Sequence, residues 1–187
     1  MEAGGRGGSL VRYIQLMPFG SVSADLLGHL HAGVSREFAA RCDILNAEPE
    51  PAFAFNNARQ QYSSTEILAF MTRREIRNGW RILGITSLDL YIPILTFVFG
   101  EAQLQGNCAV VSSFRLRQEF YGLPADTALF RSRVLKESIH ELGHTFELSH
   151  CDDCQCVMFP SHGVEWIDLK TNRLCRACRF VALGHTA

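Results

Sequence analysis

The chain has 187 residues, of which 47% are hydrophobic and 20% are charged, and its formal net charge is −1. This composition is typical of a soluble globular protein, and the length suits a single domain with a substantial core. A charge so close to zero gives no electrostatic attraction to nucleic acid or to an anionic membrane, so we exclude both as expected partners. We also expect a monomer.

The amino terminus has no recognisable targeting signal. Residues 1–9 are rich in glycine and lack an apolar core, so we expect a flexible tail there. The longest apolar stretch, residues 88–99, is interrupted by Asp89 and Pro93 and is too short to cross a bilayer. These features predict a cytoplasmic protein. Thiols stay reduced in that compartment, so the seven cysteines favour metal binding over disulfides.

Strands and helices are expected to alternate along the first two thirds of the chain. Five segments rich in β-branched and aromatic residues predict strands, namely residues 11–19, 38–45, 80–91, 95–103 and 109–117. Gly106 and Asn107 form a turn signal, so the last two segments should pair as a hairpin. Cys42 and Cys108 lie in or beside these strands and are expected to be small buried apolar residues.

Three helices are expected from their capping residues. Ser23 can cap a first helix that runs to about residue 31, with Gly33 as its stop. Ser63 and Glu66 form a capping box before a second helix of about three turns. Apolar residues recur every three or four positions up to residue 146, which predicts a long third helix. Asp126 can cap its start.

The third helix ends in the sequence HELGHTFELSH, residues 140–150, which predicts a zinc site. His140 and His144 lie four residues apart and therefore face the same side of a helix. His150 must return to them after a turn. Three histidine ligands leave a fourth position open, as in catalytic zinc sites. Glu141 points about 100° away and can take a proton from a zinc-bound water that attacks a carbonyl, then pass it to the leaving amine.

Five cysteines follow the third histidine: Cys151, Cys154, Cys156, Cys175 and Cys178. Spacing alone favours two C-x-x-C pairs, Cys151 with Cys154 and Cys175 with Cys178, around a structural zinc. A redox-active C-x-x-C pair is an alternative, but no thioredoxin-like pattern surrounds either pair.

The histidine stretch resembles the metzincin pattern H-E-x-x-H-x-x-G-x-x-H. Followed by C-x-x-x-x-C-x-M and a later C-x-x-C, it resembles the archaemetzincin family over residues 140–178. The resemblance implies a catalytic zinc on His140, His144 and His150. It also implies a structural zinc on four cysteines, with Cys154 as the spare; these are Cys151, Cys156, Cys175 and Cys178. Met158 is implied to form an apolar floor beneath the catalytic zinc.

The same resemblance implies an α+β fold, compact and metzincin-like, and an enzyme, a zinc-dependent metallopeptidase acting on peptides or proteins. A mixed β-sheet with helices would form an upper lobe, residues 10–147, with the active-site helix at the cleft floor. Residues 148–187 would form a small zinc-stapled lower lobe. An edge strand at 95–103 would pair with an extended substrate.

One position departs from the metzincin pattern, because Glu147 stands where the pattern has glycine. Either Glu147 adopts a left-handed backbone at a cost of about 1 kcal/mol, or the helix ends by a different turn. His162 is a possible additional ligand if that turn misdirects His150.

Two non-enzymatic alternatives compete with a peptidase. The first is a peptide- or protein-binding module with two structural zincs, but such a module has no need of Glu141. The second is a nucleic-acid module built on the cysteine zinc, and the net charge of −1 argues against it.

Overall fold

The computed structural model describes residues 12–74 and 80–184, so the expected tail at residues 1–9 lies outside the described part of the chain. The strands are β1 Arg12–Phe19, β2 Ala40–Ile44, β3 Phe55–Asn56, β4 Gln61–Ser63, β5 Trp80–Thr86, β6 Leu90–Tyr91, β7 Gly100–Ala102 and β8 Cys108–Ser112. The α-helices are α1 Ala24–Phe38, α2 Ser64–Thr72, α3 Thr127–Thr145, α4 Val164–Leu169 and α5 Arg176–Leu183. None of the described helices is long and apolar enough to cross a membrane.

The main sheet has five strands in the order β2-β1-β5-β8-β7. Its first four strands are parallel, while β7 is antiparallel to β8 and forms one edge. Parallel neighbours place buried side chains side by side, as where Leu16 pairs with Leu83 and Leu83 with Ala109. A smaller sheet has the order β3-β4-β6. This mixed arrangement is the predicted α+β architecture.

The expected hairpin forms between β7 and β8, but its first strand is shorter than predicted. Before β7, Val98 forms an isolated bridge with Leu90, and Phe99 O accepts a hydrogen bond from Ser112 N at 2.8 Å. Two backbone carbonyls before this bridge accept hydrogen bonds from side chains. Arg59 donates to Leu95 O at 2.7 Å and Gln61 donates to Thr96 O at 2.9 Å. These carbonyls therefore belong to a loop held by side chains and make no strand ladder.

The prediction that Gly33 stops the first helix is wrong, because α1 continues to Phe38 and ends where Ala39 adopts φ 46°. A Cβ built on Gly33 would lie only 2.5 Å from Leu135 Cδ1 of α3. The glycine thus lets α1 and α3 approach closely. Its role is in packing between two helices, which a search for helix stop signals does not detect.

Helix α3 is buried over most of its length, from Arg133 to Gly143. Asp126 caps it as predicted, accepting a hydrogen bond from Leu129 N at 2.9 Å. One apolar core contains Leu83 of the sheet, Ile139 of α3 and Ile167 of α4, so the carboxy-terminal segment packs into the same core as the sheet. The sheet packs against one side of α3 and the carboxy-terminal segment against the other, so the last two turns of the helix are held between them.

Candidate metal centres

Three histidine side chains converge at the carboxy-terminal end of α3. His140 and His144 lie one turn apart, with 3.2 Å between their Nε2 atoms. The ring centre of His150 lies 5.3 Å from that of His140 and 5.1 Å from that of His144. One ligand nitrogen from each ring lies within 4.8 Å of the other two. The structure therefore brings together all three histidines that the sequence predicts.

Backbone carbonyls orient two of these rings. Nδ1 of His140 lies 2.8 Å from Val157 O, and Nδ1 of His144 lies 2.8 Å from Leu148 O. A carbonyl can only accept a hydrogen bond, so each Nδ1 carries the proton. Each Nε2 is therefore unprotonated and has a lone pair available for a metal ion.

The surroundings also keep the three imidazoles neutral. Burial lowers the pKa of His140 well below its usual value, and the positive charge of Lys170 lowers it further. Burial is also the largest cause of the lowered pKa values of His144 and His150. Three neutral imidazoles, two of them oriented by carbonyls, fit the ligand set of a catalytic zinc ion.

The turn that returns His150 is built on the residue that departs from the metzincin pattern. Glu147 has φ 66°, in the left-handed region. Glu147 N donates to His144 O at 3.2 Å, and Leu148 N donates to Gly143 O at 3.1 Å. These two bonds form a Schellman motif, which ends a helix by a left-handed residue. The helix therefore ends as it would with glycine, and Glu147 carries the backbone strain.

Replacing Glu147 by glycine should raise the free energy of unfolding by up to about 1 kcal/mol, since glycine adopts positive φ without a Cβ clash. Thermal unfolding of the metal-loaded protein measures this change. Glu147→Ala is the matched control, because it removes the carboxylate and keeps the Cβ. An equal gain in both variants would show that charge is responsible and that backbone strain is not.

Glu141 is buried beside the histidines and lines a cleft of about 650 Å³. Burial raises its pKa well above the usual value, and the nearby carboxylate of Glu137 adds to this rise, while Lys170 opposes it. A carboxylate with a raised pKa is a stronger proton acceptor than an exposed one. The edge strand passes close by, because a Cβ on Gly100 would lie 2.6 Å from Glu141 Cγ and 2.8 Å from Val110 O.

The cleft lies between two walls. Segment 92–104 provides one wall, which is mainly apolar and includes the edge strand β7. Ser149, His150 and residues 160–162 provide the other. His162 is exposed on this second wall, and within the described residues it is not part of the three-histidine cluster. The turn at Glu147 directs His150 inward, so the geometry gives no reason to invoke His162 as a replacement ligand.

Four cysteines form a second cluster: Cys151, Cys156, Cys175 and Cys178. Their sulfur atoms all lie within 4.8 Å of one another, and the cluster adjoins the first one because Cys151 follows His150. Burial opposes ionisation of these thiols and raises the pKa values of Cys156 and Cys178. At Cys175 a hydrogen bond from Cys178 N and contacts with neighbouring thiols outweigh burial and lower the pKa. Four converging sulfur atoms fit a closed, structural zinc site.

Cys154 lies outside this cluster and is exposed, so the pairing that spacing alone favours is not the one that the structure brings together. A tight turn explains the difference. Cys156 N donates to Asp153 O at 2.9 Å, so the chain reverses, leaving Cys154 at the surface and burying Cys156. Sequence spacing does not reveal this turn.

Met158 is fully buried beneath α3. A Cβ on Gly143 would lie 2.4 Å from its sulfur atom, so the glycine between the two helical histidines allows the methionine side chain to approach. The backbone of Met158 also accepts a hydrogen bond from Cys151 N at 3.0 Å. Met158 thus lies between the two clusters.

Sequence reasoning missed three residues near the site: Gly100, Glu137 and Lys170. Glu137 lines the cleft and lies one helical turn before Glu141, so helical spacing could have indicated its position. Nothing in the local sequence marks Gly100 or Lys170, because their roles depend on which segments come together in three dimensions.

Three converging imidazoles, two of them on α3, and the buried carboxylate of that helix lie beside a cysteine cluster. This combination defines a metzincin-like metallopeptidase. The sequence profile of Peptidase family M54 matches residues 49–181. The archaemetzincin of Methanocaldococcus jannaschii is 40% identical over 170 residues, which cover 90% of this chain and 92% of that protein.

Solved structures agree with this relationship. A crystal structure of the archaemetzincin of Archaeoglobus fulgidus, complexed with malonate, is 36% identical with a TM-score of 0.79 and covers 90% of this chain and 99% of that one. A zinc-dependent peptidase of Methanocorpusculum labreanum is 30% identical with a TM-score of 0.82 and the same coverage. The chain therefore belongs to peptidase family M54. The predicted archaemetzincin resemblance, the fold class and the zinc metallopeptidase assignment are confirmed.

Proposed function

We propose that this chain hydrolyses peptide bonds at the three-histidine cluster, with Glu141 as the general base and then the general acid. The observation that carries the proposal is the position of Glu141, which is buried beside the three imidazoles and faces the cleft. A binding module without catalysis has no need of a buried carboxylate there, since an unpaired buried charge is costly.

The residues of the chain divide the chemistry between them. A zinc ion held by His140, His144 and His150 would supply Lewis-acid polarisation and lower the pKa of water. Glu141 would take a proton from the attacking water and deliver it to the nitrogen of the leaving amine. The carbonyls of Val157 and Leu148 would keep the two helical imidazoles oriented while this happens.

The cysteine cluster would hold a second, structural zinc, giving two zinc ions per chain. Because Cys151 adjoins His150, this second ion would fix the segment that returns His150 to the catalytic site. Met158 would form the apolar floor beneath the catalytic zinc, as its full burial supports. In this arrangement residues 10–147 form the upper lobe and residues 148–187 form the lower lobe of one catalytic domain.

The substrate would be an extended peptide segment bound along β7. This strand forms one edge of the main sheet, where an extended peptide would add a further strand. It also lies against Glu141, so a paired peptide would pass the catalytic carboxylate. We further propose a monomeric protein of the reducing cytoplasm, where the cysteine cluster would stay reduced and able to bind zinc.

Zinc analysis and peptide cleavage together test the proposal. Wild-type protein should contain two zinc ions and cleave members of a peptide library, whereas His144→Ala should contain one zinc ion and cleave none. Equal zinc content in the two proteins would show that the three histidines do not bind zinc. Two zinc ions in wild type without cleavage of any peptide would favour the binding module.

A further inference from the structure

A buried ion pair lies beneath the histidine site. Lys170 is fully buried and Glu137 almost so, with 3.0 Å between Lys170 Nζ and Glu137 Oε1. Lys170 Nζ also donates a hydrogen bond to Phe159 O at 3.2 Å. Removing two charges from water costs several kcal/mol per ion, and an apolar pair of similar volume is often at least as stable. Stability alone is therefore a weak reason for this pair.

The position of Phe159 links the pair to a metal ligand. Phe159 lies two residues beyond Val157, whose carbonyl accepts the hydrogen bond from His140 Nδ1. Met158, between them, packs against α3 at Gly143. The ammonium group of Lys170 therefore holds Phe159 O in place. Through the short segment 157–159 it also fixes Val157 O, the carbonyl that orients His140.

Glu137 supplies the other half of the arrangement. It lies on α3 at the cleft, one turn before Glu141, and its carboxylate contacts the lysine from the helix side. A lone ammonium group here would act on all three imidazoles and repel a divalent cation. The carboxylate balances that charge and ties segment 157–159 to the helix.

We propose that Lys170 and Glu137 are positioning residues for the zinc ion of the histidine site. The inference rests on the proposed function, because it requires zinc to bind there. The pair sets the affinity for the metal by holding Val157 O where it orients His140 and by balancing the lysine charge. Outer hydrogen-bonding groups of this kind typically change metal affinity by about 10- to 100-fold.

A matched control exists on the same helix. Lys136 is also buried and donates to Ile167 O at 2.9 Å, so it joins α3 to the segment just before Lys170. It has no hydrogen bond to residues 157–159 within the described chain. Lys136→Met should therefore lower the unfolding temperature and leave the zinc affinity unchanged.

Zinc release to a chromophoric chelator tests the proposal without any measurement of cleavage. The phase that is absent from His144→Ala identifies the histidine site. Lys170→Met and Glu137→Gln should each weaken zinc binding in this phase by about 10- to 100-fold. Unfolding temperatures of the same proteins are measured in parallel, so that loss of folding is separated from loss of metal affinity.

The double variant, Glu137→Gln with Lys170→Met, decides between positioning and simple stabilisation. It removes both charges of the pair together, so neither is left without its partner and its stability should recover. Phe159 O has lost its donor, however, and the zinc affinity should remain weak. Recovery of wild-type affinity in the double variant would overturn the inference, as would unchanged affinity in both single variants. A wild-type protein that releases no more zinc than His144→Ala would overturn the proposed function itself, and the inference with it.

Discussion

Replacing Glu141 by glutamine should lower kcat for peptide hydrolysis by about 10²- to 10⁴-fold, the usual contribution of a general acid–base group. Glutamine has nearly the same shape but cannot accept and return a proton. Because Glu141 is not one of the three converging ligands, the variant should keep its zinc. Peptide cleavage and zinc analysis of the same preparation measure both effects. Retained activity would show that another group carries the proton.

Gly100→Ala tests the same carboxylate without removing it. The added Cβ would lie 2.6 Å from Glu141 Cγ and 2.8 Å from the backbone of Val110, so Glu141 or β7 must shift. A misplacement of about 1 Å can cost about 10²-fold in rate. Gly28→Ala is the control, since a Cβ there meets nothing within 4 Å. Equal kcat for the two variants would show that the close approach at Gly100 does not set the position of Glu141 for catalysis.

Replacing Cys156 by serine should release both zinc ions and abolish cleavage. Cys156 is buried among the other three thiols, so its loss opens the structural site. The same segment carries Val157 O and Met158, and Cys151 adjoins His150, so both supports of the histidine site should loosen together. We expect the free energy of unfolding to fall by several kcal/mol, because metal binding and folding of such a site are coupled.

Two other variants should behave differently from Cys156→Ser. His144→Ala should lose one zinc ion and keep the cysteine site. Cys154→Ser should keep both ions, since Cys154 is exposed and outside the cluster. Zinc content and unfolding temperature distinguish the three proteins. If Cys156→Ser keeps the histidine zinc, the two centres are independent despite being adjacent in the chain.

Local patterns predicted much of the site because their geometry is local. Four-residue spacing places His140 and His144 on one helical face whatever surrounds the helix. Asp126 caps α3 through a neighbouring backbone N–H, and Ser63 caps α2 in the same way. The pattern also located the position of strain, Glu147, where the return of His150 requires a left-handed residue.

Contacts between distant segments were decided only by the tertiary structure. Gly33 has the sequence features of a helix stop, yet it is a packing residue because α3 passes beside it. Cys154 and Cys156 both have plausible spacings, and only the turn at Asp153 buries the second. Lys170 pairs with Glu137, which is so distant in sequence that helical or strand periodicity does not predict the contact.

The sequence by itself therefore determined the chemistry of this protein: a helix with two histidines and a carboxylate, a third histidine, and a set of thiols. The tertiary structure decided which thiols converge, which glycines allow close approach and which buried charges support the site. The physical reason is that helical periodicity and capping act within one or two turns. Burial and convergence depend instead on how the sheet, α3 and the carboxy-terminal segment pack together.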